Sequence, residues 1–103
     1  MIQRYILNDE HEPVVETDLI KWAEWFEDVE NRRVAWDVTT NNPDGNDDYV
    51  STVFLGLDHN FFGGPPILFE TLVSATDEIT RHYTWWEAIA FHDQAVMAQR
   101  ASV

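Results

Sequence analysis

The stretch Tyr49-Val50-Ser51-Thr52-Val53-Phe54-Leu55-Gly56-Leu57 constrains the fold of this chain more than any other. Successive side chains of a strand point to opposite faces, and here both faces are β-branched or aromatic, which predicts a central strand covered by helices on one side and by a partner or loop on the other. Ahead of it, Asn41-Asn42-Pro43-Asp44-Gly45-Asn46 concentrates turn-forming residues, so Arg33 to Thr39, with Val34, Trp36 and Val38 alternating, is expected to be the other arm of a hairpin. After it, Asp58 to Pro66 reads as an ordered loop in which Gly63-Gly64-Pro65-Pro66 makes a rigid bend. Ile67 to Val73 and Glu78 to Tyr83 follow as strands joined through Ala75-Thr76-Asp77.

Two helices complete the expected architecture. Thr17-Asp18 offers a cap, and Leu19, Trp22, Trp25/Phe26 and Val29 recur on one face, which predicts a helix over 18–30. Thr84-Trp85-Trp86-Glu87 has the form of a capping box, and a helix from it to about Gln99 would turn Trp85, Ala88, Ile89, His92, Ala95 and Val96 toward the sheet. Ile2 to Leu7 is a short opening strand, with Asn8 to Pro13 a polar turn. The order β-α-β-β-β-β-α predicts an α+β fold, an antiparallel sheet of four to five strands with two helices on one face. At 103 residues, one globular domain over 1–103 is the expectation, because halving the chain would leave neither part enough buried apolar surface to offset its ordering entropy.

Charge narrows the function classes. Nineteen acids against six bases give −13 with His neutral, thirteen of the acids and four of the bases lying in residues 1–50. Direct binding to nucleic acid or to anionic lipid is disfavoured, and a partner with a basic surface is favoured. No apolar run reaches the ~20 residues of a membrane span, so no membrane partner and a cytoplasmic location are expected. The chain has no cysteine and therefore no thiolate metal site, thiol nucleophile or disulfide. None of the short catalytic or metal-binding signatures occurs, and no cofactor is implied.

Three groups of residues are candidates for function. The acidic helix and hairpin carry Asp18, Glu24, Glu27, Asp28, Asp44, Asp47 and Asp48, a negative pattern of the kind a nucleic-acid-binding protein recognises. A second group, Asp58, His59, Phe61 and Phe62 beside the Gly-Pro loop with Trp86, would line a small-molecule site, and an anionic ligand there would need Arg32, Arg33, Arg81 or His82 to converge on it. Asp58-His59 could also orient an imidazole as base or ligand, with Glu70 or His92 brought in by the fold. The bland reading is that a loop Asp caps backbone N–H groups. Of five tryptophans, Trp25 and Trp86 are expected to be partly exposed, because each adjoins a residue that already claims the buried face.

The segments Val50-Ser51-Thr52-Val53-Phe54-Leu55-Gly56-Leu57-Asp58-His59-Asn60-Phe61 and Gly64-Pro65-Pro66-Ile67-Leu68-Phe69-Glu70-Thr71, with Tyr83-Thr84-Trp85, Glu87-Ala88 and His92, resemble a family of small uncharacterised proteins encoded by bacteria and their phages. The likeness spans 50–92. It departs at Ser74-Ala75-Thr76-Asp77, where a Gly-rich turn is common, and at Phe91, where Gly is common. The resemblance implies a phage-associated, host-directed accessory role and carries over no catalytic residue. Two expectations follow: a non-enzymatic inhibitor of a host protein, of the anti-CRISPR-like kind that blocks a nucleic-acid-directed defence component, or a sponge for a nucleotide signal. A homodimer is also expected, since a small sheet has edges that pairing would cover.

Overall fold

The computed structural model describes residues 3–102, so Ile2, the first residue of the expected opening strand, lies outside the described residues. Four strands, β3 (Arg33–Val38), β4 (Tyr49–Phe54), β5 (Phe69–Val73) and β6 (Glu78–His82), form one antiparallel sheet in sequential order. The α+β class and the four-stranded antiparallel sheet are as the sequence predicts.

The N-terminal segment differs from the expectation. Tyr5–Leu7 (β1) pairs with Pro13–Val15 (β2) in a separate two-stranded sheet, and the expected polar turn is the tip of this hairpin. Asn8 Oδ1 accepts from the backbone N–H groups of Glu10 and Glu12, and His11 takes a left-handed φ of 62° that reverses the chain. The side-chain amide thus supplies the local pairing that makes so short a hairpin possible.

The helix expected over 18–30 is two helices, α1 (Leu19–Glu27) and α2 (Val29–Arg32). Asp28 is the break: its backbone is extended, and its carboxylate accepts from Glu30 N–H to start the second helix as Asp18 starts the first. The break at Asp28 takes Val29 off the common apolar face and leaves it exposed; Leu19, in the first turn of α1, is exposed as well, while Trp22, Trp25 and Phe26 are half-buried. Trp25 meets Phe54 edge-on, and Phe26 packs where Gly56 brings the chain past it with φ of 74°.

The last helix, α3 (Trp85–Ala101), lies on one face of the sheet with Ala88, His92 and Val96 buried. Thr84 caps it by accepting from Glu87 N–H, but the Glu87 carboxylate takes the Thr84 hydroxyl rather than the backbone N–H of a capping box. At the far end the Arg100 guanidinium donates to the Val38 carbonyl, tying the helix to β3.

The inward side chains of β4 and β5 stack in three rows. Phe54 and Phe69, with Leu68 and Ala88, form one apolar cluster; Val50 and Val73, with Val96, form another. Thr52 and Thr71 lie between them, so the core is apolar, polar, apolar along the strands. On β3 Val34 packs against the first of these clusters, but Trp36 and Val38 face the other way. A register shift between Arg33 and Ala35 sets Ala35 and Asp37 under α3, opposite Thr52 and Val50, and turns Trp36 and Val38 to solvent. The space under α3 at this point is taken by His92, which bonds Asp37 and leaves room there only for small or hydrogen-bonding side chains.

Candidate functional site

The residues that sequence reasoning gathered are not gathered by the fold. Asp18, Glu24, Glu27 and Asp28 lie on the helices that enter β3, whereas Asp44, Asp47 and Asp48 lie in the loop that leaves it. The six residues of β3 separate them by roughly 20 Å at ~3.3 Å per residue. Most of these carboxylates are engaged locally. Asp18 and Asp28 cap helices, Asp47 accepts from Asn42 N–H and the Thr40 hydroxyl, and Asp48 accepts from the Ser74 hydroxyl. Asp44 accepts from the backbone and side chain of Asn46, which hold its carboxyl below the ordinary value.

The second group is divided as well. Asp58 accepts from Asn60 and Ile67 N–H, and His59 Nδ1 donates to the Leu57 carbonyl, so both fix the loop and the bland reading of the aspartate is the one that the contacts support. Phe61 and Phe62 stand exposed on this loop, while Trp86 lines a cleft with the N-terminal hairpin. The bases do not converge. Arg32 stacks over Phe26 and donates to its carbonyl, Arg33 pairs with Glu30, Arg81 pairs with Glu70, and His82 is buried.

A constellation of acid, imidazole and hydroxyl does exist, elsewhere. Asp37 Oδ2 lies 2.8 Å from His92 Nε2, His92 Nδ1 2.8 Å from Thr52 Oγ1, Thr52 Oγ1 2.7 Å from Thr71 Oγ1, and Thr71 Oγ1 3.0 Å from His82 Nε2. One residue comes from each strand of the sheet and one from α3. With Asp37 ionised and His92 neutral the chain has one direction: His82 N–H donates to Thr71, Thr71 to Thr52, Thr52 to His92 Nδ1, and His92 Nε2–H to the carboxylate. Burial holds the His82 imidazole below its ordinary value, against the smaller opposing pull of Glu87. The first three members have the composition of a nucleophile, base and orienting acid, but Thr52 has no exposed surface and no substrate carbon can reach its hydroxyl. The relay is therefore a staple between helix and sheet.

What the fold does assemble at the surface is a pair of adjoining clefts where the β1–β2 hairpin meets α2 and α3. Their partition is His11 stacked on Trp85, ring centroids 4.0 Å apart and planes within 7°. On one side a cleft of about 350 Å³ is bounded by Asp9, Trp25 and Glu30 with Arg33. On the other a cleft of about 440 Å³ is bounded by Glu10, Glu12 and Trp86. Trp86 is 70% exposed, an indole that shares its cleft with two carboxylates and the imidazole stacked on Trp85. Glu10 and Glu12 approach closely enough that hydrogen bonding and repulsion from Glu10 raise the Glu12 carboxyl above its ordinary value. Such a pair favours any cation that neutralises it.

Sequence reasoning singled out Trp25 and Trp86 for exposure, and each lines one of the clefts. It passed over Asp9, Glu10, His11 and Glu12 because they lie in what reads as a turn. The signal was there in Asn8, whose side chain organises that turn. Comparisons with protein families, with curated proteins and with solved structures return no match to this chain.

Proposed function

We propose that the protein is a small acidic binding protein that docks on and blocks a basic host protein, in the manner of a phage-encoded inhibitor of a nucleic-acid-directed defence component. The meeting of Glu10 and Glu12 with the exposed Trp86 ring in one cleft, with Asp9 in the adjoining cleft, carries this reading. Carboxylates beside an aromatic face suit an arginine or lysine side chain, which gains ion pairing and cation–π attraction together. A protein that grips a phosphate backbone presents many such side chains, and a net charge of −13 would speed encounter with it. Glu24 and Glu27, exposed on α1, extend the negative surface beyond the clefts. The phage and host part of the proposal is supported by the resemblance over residues 50–92. The nucleotide-sponge alternative loses support from the four bases, none of which is free to meet an anion at the Gly-Pro loop.

Affinity capture from a host lysate with mass spectrometry identifies the partner, and binding of the purified partner then tests the mechanism. Affinity is expected to fall by at least tenfold between ~0.1 M and ~0.5 M salt, and on the double change Glu10→Lys with Glu12→Lys. Trp86→Ala is expected to weaken binding at every salt concentration. A complex indifferent to salt and to charge reversal ends the proposal.

A further inference from the structure

We propose that the open face of the four-stranded sheet is a homodimer interface, packing face to face on the same surface of a second copy. This inference is independent of the acidic clefts and rests on the register. Because directly paired residues share a face, Trp36, Val38, Tyr49, Val53, Leu72 and Ile79 all point away from α3. An antiparallel sheet with one solvated face ordinarily carries polar residues there. This one carries a contiguous apolar patch in which Trp36 stacks on Tyr49 at 4.4 Å and remains 48% exposed, Val38 44% and Ile79 56%. Patches of this kind mark interaction surfaces.

Charge identifies the occupant. Among the outward-pointing residues of the four strands Glu70 is the one acid, paired with Arg81, while Arg33 is paired with Glu30 of α2, so the face is close to neutral on a chain of −13. A basic partner is drawn to the carboxylates elsewhere and gains nothing here. A second copy, repelled by the strongly acidic remainder of the molecule, meets little repulsion on this face. Four strands of five or six residues give roughly 20 × 20 Å, so two faces bury on the order of 800 Å², below the ~1,200 Å² of stable interfaces and in the range of weak association. That size suits a dissociation constant in the micromolar range. The contact leaves the cleft of Glu10, Glu12 and Trp86 uncovered, since none of its lining residues lies on the open face; Arg33 stands where that face borders the other cleft.

Sedimentation equilibrium of the full chain from ~1 µM to ~300 µM tests the proposal. The mass is expected to rise from 12.0 kDa toward about twice that value. Dimerisation should tighten several-fold from ~0.1 M to ~0.5 M salt, because screening relieves repulsion between two acidic bodies while leaving apolar burial intact. The sign is opposite to that expected for a basic partner, so the two readings stand or fall separately. Ile79→Lys, at an exposed position on the edge strand β6, should keep the far-ultraviolet circular dichroism of the parent and remain monomeric throughout, as should Trp36→Lys if it folds. A chain that stays monomeric to the highest concentration overturns the proposal, and so does a dimer that Ile79→Lys leaves intact.

Discussion

Thr52 shows how one hydroxyl can set the energetics of a core. It donates to His92 Nδ1 and accepts from Thr71, with no water to replace either bond. Thr52→Val keeps the shape and orphans both neighbours at roughly 1–3 kcal/mol each, so thermal unfolding should show a midpoint lower by about 10–25 °C. Thr52→Ser restores the hydroxyl and should recover most of the loss. His82, at the other end of the relay, makes the fold pH-sensitive. Its folded value lies below the ordinary 6.5, so the unfolded chain binds more protons as pH drops under that value. The contribution of His82 to stability is therefore complete above about pH 6.5 and declines as pH falls toward the folded value. The melting temperature should fall between about pH 7 and pH 5.5, and His82→Gln, which keeps a donor and cannot titrate, should flatten the slope. An unchanged slope in the variant would assign the pH dependence to other groups.

Among the elements, the junction between sheet and N-terminal unit is the most sensitive to a single atom. A Cβ at Gly56 would lie 2.6 Å from Phe26 Cε2 and 2.8 Å from Cδ2, and the residue has φ of 74°. Gly56→Ala should cost roughly 1–2 kcal/mol from the backbone alone, more as Phe26 moves against Trp22, and should perturb the near-ultraviolet tryptophan signal in a urea titration. The sheet was legible because its strands have period two and its turns are dense in Asn, Gly, Pro and Asp. Helix α3 was legible from its cap and its stripe. The break at Asp28 was not, since an aspartate between two apolar turns reads equally as a solvated helix position and as a cap. The relay was half legible: Val50-Ser51-Thr52-Val53-Phe54 places Thr52 in the middle of an inward face, a position where a hydroxyl needs a partner. Which partners it finds depends on residues 37, 71, 82 and 92, whose convergence only the sheet register determines.

For the whole molecule, the balance of charge sets the response to salt. Among the described residues two arginine–carboxylate bridges occur, Arg33 with Glu30 and Arg81 with Glu70, and both have at least one partner well exposed to solvent. Exposed pairs contribute roughly 0–1 kcal/mol, so little is lost when salt screens them. Against that stands the repulsion among nineteen carboxylates on a body with a radius of gyration of 15.0 Å, comparable to the ~10 Å screening length at 0.1 M salt. Unfolding spreads these charges apart, which makes repulsion a force toward the unfolded state. Raising sodium chloride from ~0.02 M to ~0.5 M should therefore raise the melting temperature by several degrees, with most of the gain below ~0.2 M, where the screening length changes fastest. At fixed low salt, Glu24→Lys with Glu27→Lys should act in the same direction by lightening the acidic helix, and should shrink the salt effect. A melting temperature that falls with salt would mean that attractive pairs outweigh repulsion, and the acidic surface would then have to be explained as a stabilising network rather than as a surface held ready for a cationic partner.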